Sequence, residues 1–272
     1  MHPLVSTLRQ AKRGAAPRAL LRGLSLPFRS ARVLIAHRRL WALAIVPVLI
    51  HGAMLIGAVV LVFTYADAAA TWLWTPPVAD SLWTGALLAA WYGLYTLVVV
   101  AGLVAGYAAT LLISGVVVSP FNDALSERAE TLLRGDDLPE PMAGRPFWRE
   151  ALYSLRATLL ILLLYLALMA PVVLLNLLPG AGSVAAAVLG TGVGAFFLAL
   201  EFTDTTLGRH GYRLRQKIRL LRAHPGLTAG FGVGTSLLLW IPVLNLLCVP
   251  IAVVGGTALA LALLNGETPT GA

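Results

Sequence analysis

The second apolar run of this chain, residues 82–118, contains no Asp, Glu, Lys or Arg. A helix needs only about 20 apolar residues to cross the hydrocarbon core of a membrane, so this run exceeds what one span requires. The chain as a whole is 58% hydrophobic and 12% charged, whereas soluble domains carry about 25% charged residues. These proportions predict an all-α integral membrane protein.

Four apolar blocks are candidates for membrane-spanning helices: residues 40–65, 82–118, 157–178 and 183–202. The second block is long enough to be either a strongly tilted helix or a helix with a break. Pro179 and Gly180 are expected to turn the chain between the third and fourth blocks. We therefore predict one helical membrane domain over residues 40–265, after a basic segment 1–39 and before a short tail 266–272.

A further uncharged run, residues 227–264, has Pro242 and Pro250 near its centre. Each proline removes an amide donor and interrupts a helix. Broken backbone inside a membrane must be covered by protein or face a water-filled cavity. The run is long for one span and short for two. We expect a re-entrant pair of half-helices, with Asn245 bonding to backbone groups at the turn. A single kinked span is the alternative.

The positive charges are distributed asymmetrically along the chain. Nine Lys and Arg residues lie in residues 1–39, five in 119–156 and six in 203–226, while the two other connectors have none. Because Lys and Arg concentrate in cytoplasmic loops, the N-terminus and both long loops are predicted to be cytoplasmic. The multi-pass protein is then placed in the inner (plasma) membrane. This pattern explains the net charge of +8 without nucleic acid.

The three basic segments also suggest local structure. Pro17, Gly23 and Pro27 are expected to divide the N-terminal segment into short pieces that lie on the membrane surface. In the first loop, Ser119 is predicted as an N-cap and Pro120 as the first residue of an amphipathic helix. Its apolar face comprises Phe121, Leu125, Ala129 and Leu132.

The second loop is expected to carry a basic helix that contacts anionic lipid or an anion. Glu201 and Asp204, at its start, are expected to be neutralised by nearby arginines. Small-residue pairs with a four-residue spacing predict close helix contacts in a membrane. They are Gly102/Gly106, Gly190/Gly194 and Gly230/Gly234.

Recognisable enzyme chemistry is missing from the sequence. It contains no His–Glu zinc pattern, no Walker loop, no nucleophile elbow and no paired cysteines, since Cys248 is the only cysteine. We therefore expect neither an enzyme nor a bound metal or cofactor.

Three stretches occur in a diagnostic order: "SPFNDALSERAE", "LEFTDTTLGRHGY" and "GFGVGTSLLLWIPVLNLLCVPIAVVGGTAL". Together with "RRLWALAIVPVLIH", they resemble the CysZ-type sulfate permeases and the wider etoposide-induced-protein membrane family over residues 28–264. The resemblance implies two spanning helices, hairpins that penetrate the bilayer only partly, a homo-oligomer, and sulfate entry for cysteine synthesis. Some of the four apolar blocks would then be hemi-penetrating.

In this family a Gly-Leu-Arg-like stretch at the start of the first membrane helix binds the anion. The corresponding place here is "AHRRLW", so the resemblance implies that Arg38 and Arg39 bind sulfate. Guanidinium groups and free helix amides both suit an anion. Further motif or pore candidates are Ser119, Pro120, Phe121, Asn122, Asp123, Glu201, Asp204, Pro242, Asn245, Pro250, Gly255 and Gly256. Two functions remain open: a sulfate permease or channel, and a non-transport membrane scaffold or lipid-organising protein.

Overall fold

The computed structural model describes residues 2–12, 16–78, 80–134, 147–239 and 242–264. Within these ranges every regular element is a helix, which confirms the predicted all-α class. The elements are α1 (Pro3–Lys12), α2 (Ala16–Ala36), α3 (Arg38–Leu73), α4 (Leu82–Leu133), α5 (Phe147–Leu174) followed by a 3-10 turn (Leu175–Leu177), α6 (Ala181–Arg209), α7 (Leu214–Ala223), α8 (Pro225–Leu239) and α9 (Pro242–Leu263).

Among the described residues, four helical segments are long and apolar enough to cross a membrane: Arg38–Leu73, Leu82–Thr110, Leu159–Leu177 and Ala181–Arg209. They coincide with the four predicted apolar blocks. In the third segment none of the most apolar 18-residue window is buried inside the protein. So much apolar surface is stable only against lipid, and the chain is therefore an α-helical membrane protein. The remaining apolar helices are shorter.

One compact unit, Ile45–Phe121, consists of most of α3 and α4. A Cβ atom on Gly102 would lie 3.1 Å from Val62 Cγ1, and one on Gly106 would lie 3.3 Å from the Ala58 Cβ. The two helices therefore pack closely at the predicted Gly102/Gly106 pair, which is confirmed. At the start of α4, the Thr84 amide donates to Ser81 Oγ at 3.3 Å, as at an N-cap.

The other unit comprises Met1–Ala44 and Asn122–Ala272 and contains an extensive apolar core. In it α2 packs along α8, while α6 packs against both α8 and α9. A Cβ atom on Gly230 would lie 2.9 Å from the Leu24 amide nitrogen of α2, so the two backbones touch where side chains would keep them apart. The predicted contact at Gly230/Gly234 is confirmed. At the Gly190/Gly194 pair, a Cβ on Gly190 would lie at an ordinary 3.7 Å from Val172 Cγ1, but one on Gly194 would meet nothing within 4 Å, so the predicted close packing is wrong at Gly194.

The long second block forms a single helix. Because α4 continues from Leu82 to Leu133 through Pro120, the predicted start of a new helix at Ser119 is wrong. A proline inside a helix removes one hydrogen bond, but its φ is compatible with the helix. Neighbouring elements commonly make this tolerable in membrane proteins. The predicted apolar face does dock on protein, since Leu125 and Ala129 are fully buried.

The N-terminal segment forms two helices. Gly23 and Pro27 lie inside α2, so their prediction as breaks is wrong. Pro17 occupies the first turn of α2, where a missing amide costs little. The first helix is amphipathic, and it buries Leu4, Val5, Leu8 and Ala11.

Side chains from α1 bond to the end of α9. Arg9 Nη2 donates to the Leu261 carbonyl at 3.4 Å and Lys12 Nζ to the Leu263 carbonyl at 3.0 Å. These carbonyls belong to the last turn of α9, which lacks partners within its own helix. Contact of the N-terminal segment with the membrane surface stays a prediction.

The final apolar run forms two helices that pack on each other. Because α8 (Pro225–Leu239) and α9 (Pro242–Leu263) pack against each other, they cannot form one uninterrupted helix. Near this junction the Cys248 thiol donates to the Thr235 carbonyl at 3.9 Å. The expectation that Pro250 interrupts a helix is wrong, because it lies buried inside α9. Re-entry of this pair into the membrane stays a prediction, and Trp240 and Ile241 lie outside the described residues.

Candidate functional site

A cluster of polar side chains lies within the apolar core of the unit that contains both chain termini. We call it the Glu130 cluster, and its members are Ser126 and Glu130 of α4, Thr206 and Arg209 of α6, His210 directly after α6, and Thr257 of α9. All of these residues except Arg209 are buried. Such a group requires mutual bonding, because an unpaired polar side chain in a core is costly.

The Glu130 carboxylate is the charged centre of this cluster. Its Oε2 atom accepts hydrogen bonds from Arg209 Nη2 at 2.7 Å and Arg209 Nε at 3.0 Å. Its Oε1 atom lies 2.6 Å from His210 Nε2. The Glu130 and His210 side chains are each 3% exposed, whereas that of Arg209 is 18% exposed. Both oxygens of the buried carboxylate are therefore used.

Three hydroxyl groups extend the cluster from α4 to α9. Arg209 Nη2 donates to Ser126 Oγ at 2.8 Å. Ser126 Oγ also lies 3.1 Å from Thr206 Oγ1 and 3.0 Å from Thr257 Oγ1. Thr257 Oγ1 in turn donates to the Val253 carbonyl at 2.9 Å. These hydrogen bonds join α4, α6 and α9, and each buried polar group in them has a partner.

The surroundings of Glu130 favour its charged form. Burial by itself would raise the pKa of the carboxyl group, but the hydrogen bond with His210 and the positive charge of Arg209 outweigh burial. The pKa of Glu130 is consequently lowered from its ordinary value. The cluster thus contains a buried carboxylate held as an anion by its neighbours.

The turn after α6 positions two members of the cluster. Gly211 has a φ of 79°, a conformation that favours glycine. The Tyr212 amide then donates to the Leu207 carbonyl at 3.0 Å, as in a Schellman turn. This turn ends α6 at Arg209 and directs both Arg209 and His210 to Glu130.

A second ion pair joins α6 and α7. Lys217 Nζ donates to Asp204 Oδ1 at 2.7 Å and to the Asp204 carbonyl at 2.9 Å. The Lys217 side chain is only 1% exposed. Asp204 is therefore neutralised as expected, but by a lysine rather than an arginine. Glu201 is exposed, and no ion pair to it occurs within the described residues.

The two arginines predicted to bind the anion lie in the first turn of α3. Arg38 and Arg39 are both exposed, and the next residue, Leu40, is buried in the core. The His37 carbonyl accepts from the Leu40 amide at 2.9 Å and the Trp41 amide at 3.1 Å. In the described part of the chain, neither guanidinium has a hydrogen-bond or ion-pair partner. Two positive groups therefore stand beside a helix start, where amides lack partners within the helix.

Two of the motif candidates, Gly255 and Gly256, occupy tightly packed positions. A Cβ atom on Gly255 would lie 2.8 Å from the Phe231 ring, and Gly256 lies against the Phe202 backbone. Pro120 is exposed, while Phe121, Asn122 and Asp123 are half-buried. The side chains of Ser119, Pro242 and Asn245 lie outside the described part of the structure. None of the predicted candidates belongs to the Glu130 cluster.

The Glu130 cluster could not be recognised from sequence patterns, because its members come from three distant segments. Glu130 belongs to an amphipathic helix in which acids are ordinary, and Arg209 is one of several positive residues in a basic loop. One available signal was Thr257, a polar residue inside the apolar run that forms α9. Among the described residues, no group of three or more His, Cys, Asp or Glu is placed to hold a metal ion.

Comparison with known proteins identifies the relatives of this chain. Residues 26–250 match the family described as "Sulfate transporter CysZ/Etoposide-induced protein 2.4". "Sulfate transporter CysZ" of Salmonella typhimurium is 29% identical over 228 residues, which cover 79% of this chain and 82% of the relative. The proteins of the same name from Salmonella paratyphi A and Salmonella enteritidis show the same identity and coverage. The chain therefore belongs to the sulfate transporter CysZ/etoposide-induced protein family.

Proposed function

We propose that this protein transports sulfate across the inner (plasma) membrane. The observation that carries the proposal is the family match over residues 26–250. In addition, relatives named sulfate transporters align with 79% of the chain. The four apolar helical segments supply the membrane-embedded body that such a transporter needs. The concentration of Lys and Arg in the basic segments supports a cytoplasmic N-terminus and cytoplasmic long loops, on the side of the membrane where an imported anion is used.

We further propose that Arg38 and Arg39 bind the anion on its path. Both side chains are exposed and have no partner among the described residues, so their donors are available. A guanidinium presents several N–H groups in a plane, which suits the oxygens of a tetrahedral oxyanion. The first amides of α3 add further donors and the positive end of a helix dipole.

The transport proposal is tested by growth of bacteria that lack their own sulfate uptake. Such cells require cysteine, and expression of this chain is expected to restore growth on sulfate as the sole sulfur source. The amount of the protein in isolated membranes is measured in cells grown on sulfate and in cells grown on cysteine, so that growth is compared at equal expression. Growth on cysteine but never on sulfate, despite correct membrane insertion, would contradict the proposal.

The site proposal is tested by the binding of labelled sulfate to the purified protein. Replacing both arginines, Arg38→Ala/Arg39→Ala, is expected to weaken binding at least about tenfold, because hydrogen bonds to charged groups contribute roughly 1.5–3 kcal/mol each. The matched control is Arg29→Ala/Arg32→Ala, which removes the same charge from two exposed arginines of α2. Equal losses in both variants would show a general charge effect and refute the site.

The second candidate function is a membrane scaffold or lipid-organising protein with the same fold. The observation that favours it is the closure of the Glu130 cluster, whose buried polar groups bond to each other. A scaffold needs such internal bonds but no polar path for an ion. Stable insertion without any sulfate uptake would support this candidate. Homo-oligomer formation remains a prediction for either function.

A further inference from the structure

The six positive residues around α7 fall into two classes. Arg209 is paired with Glu130 and Lys217 with Asp204, so these two cations serve inside the protein. Arg213, Arg215, Arg219 and Arg222 are exposed instead. No Asp or Glu occurs anywhere in residues 205–264, which removes any local source of neutralisation. The exposed arginines on this short helix therefore have no acidic residue in their own segment to pair with.

Three of the exposed arginines form a stripe along α7, and we call Arg215, Arg219 and Arg222 the arginine stripe. Their spacing of four and then three residues places them on one helix face. The opposite face carries Lys217 and Leu221, which are both buried. The helix is thus fixed to the protein by one side and presents three guanidinium groups on the other.

The contacts of the stripe leave its charge available. Within the described residues, no ion pair involves Arg215, Arg219 or Arg222. The Arg222 guanidinium lies 5.9 Å from the centre of the Phe196 ring of α6, a contact that orients a cation without neutralising it. The stripe therefore keeps three positive charges to offer to a partner.

The position of α7 in the chain identifies that partner. The candidate membrane span Ala181–Arg209 ends only a few residues before α7 begins at Leu214. A basic helix beside a span lies at the level of the lipid headgroups, and anionic headgroups attract juxtamembrane arginines. The charge complementarity and this placement both favour a lipid over a soluble partner.

We propose that the arginine stripe is a binding site for the headgroups of anionic phospholipid. The stripe holds α7 against the membrane surface, while Lys217 and Leu221 hold the other face of α7 to the protein. The site is independent of the proposed sulfate transport, and its test requires no transport activity.

The test measures phospholipid binding to the purified full-length protein. Phosphatidylglycerol or phosphatidylcholine is added to the protein in detergent, and the bound lipids are counted by native mass spectrometry. Wild type is expected to prefer phosphatidylglycerol. The variant Arg215→Gln/Arg219→Gln/Arg222→Gln is expected to lose on the order of 100-fold in affinity for it, since each arginine near an anionic surface contributes roughly fivefold.

Two further variants separate a site from a simple effect of net charge. Arg18→Gln/Arg29→Gln/Arg32→Gln removes three exposed arginines from α2 and is expected to keep most of the preference. Replacing the stripe by three lysines retains the charges and is expected to keep binding as well. High salt is expected to weaken binding, because the Debye length falls from about 10 Å at 0.1 M to about 3 Å at 1 M.

Three results would overturn the proposal. The first is an equal affinity of wild type for both lipids, and the second is an equal loss in the stripe variant and the α2 variant. The third is complete displacement of phosphatidylglycerol by inorganic phosphate at an equal concentration, because that result identifies a site for soluble anions. The thermal midpoint of each variant is measured alongside, and exposed arginines are expected to change it little.

Discussion

Glu130 Oε1 lies 2.6 Å from His210 Nε2, and this contact joins the C-terminal part of α4 to the turn that follows α6. Oε2 of the same carboxylate binds Arg209. The segments concerned are separated by 80 positions in the sequence, so the fold itself brings them together. The Glu130 cluster is consequently a structural junction as well as the main polar feature of the core.

Neutralising Glu130 should destabilise the protein. The change Glu130→Gln leaves Arg209 without its carboxylate partner, and loss of one partner of a buried pair costs about 3–5 kcal/mol. We expect a value near the lower limit, because the Arg209 side chain is 18% exposed. Thermal unfolding in detergent measures the loss. Glu127→Gln is the matched control, since Glu127 is exposed one turn earlier on α4, and equal effects in the two variants would refute a special role for Glu130.

The free energy of unfolding should also depend on pH, because Glu130 is protonated as the pH falls. Its pKa is lowered in the folded state from an ordinary value of 4.5. The unfolded chain therefore takes up this proton first as the pH falls, and the stabilisation present above the ordinary value is lost below it. Unfolding free energies measured downward from about pH 5 should fall more steeply for wild type than for Glu130→Gln. Parallel profiles would contradict the assignment.

Lys217 should be a structural cation, in contrast to its arginine neighbours. The change Lys217→Met leaves Asp204 unpaired, and we expect a loss below the roughly 3–5 kcal/mol of a fully buried pair, because Asp204 is 21% exposed. Arg219→Gln, two residues away on the exposed face, should change stability by less than about 0.5 kcal/mol. Comparable losses of unfolding free energy in both variants would show that the two cations do not differ in this way.

The close crossing of α2 and α8 should not tolerate a side chain at Gly230. An added Cβ would lie 2.9 Å from the Leu24 amide nitrogen, and overpacking of this kind costs about 1–3 kcal/mol. Gly194→Ala provides the control, because nothing lies within 4 Å of its added Cβ, and alanine improves helix propensity by up to about 1 kcal/mol. Thermal midpoints should move in opposite directions. A tolerated Gly230→Ala would show that the helices can separate at no cost.

Several features of the fold could be predicted because they depend on local chemistry. The apolar blocks predicted the four long helices, since helix length and hydropathy are properties of one segment. Gly180, with a φ of 75°, indeed turns the chain before α6. The glycine pair at Gly230/Gly234 also indicated a true contact.

The errors in the prediction concern residues whose effect depends on their surroundings. Pro27, Pro120 and Pro250 were expected to begin or break helices, yet all three lie inside continuous helices. Packing from neighbouring elements offsets the single hydrogen bond that each proline removes. A local pattern contains no information about such neighbours.

The candidate site was predictable only in part. Arg38 and Arg39 were predicted through resemblance, and their role in binding stays a prediction, although both are exposed. The Glu130 cluster could not be assembled from the sequence, because Ser126, Thr206 and Thr257 have no common motif. Similarly, the six positive residues of the second loop looked alike until the fold separated the paired Arg209 and Lys217 from the arginine stripe.

Movement of sulfate across a membrane by this protein can be measured as uptake of radiolabelled sulfate into proteoliposomes. We predict uptake well above that of protein-free vesicles, a strong loss in Arg38→Ala/Arg39→Ala and near-normal uptake in Arg29→Ala/Arg32→Ala. If uptake persists in the first variant, the anion site is wrong but transport stands. If the folded and inserted wild-type protein gives no more uptake than empty vesicles, the protein does not transport sulfate.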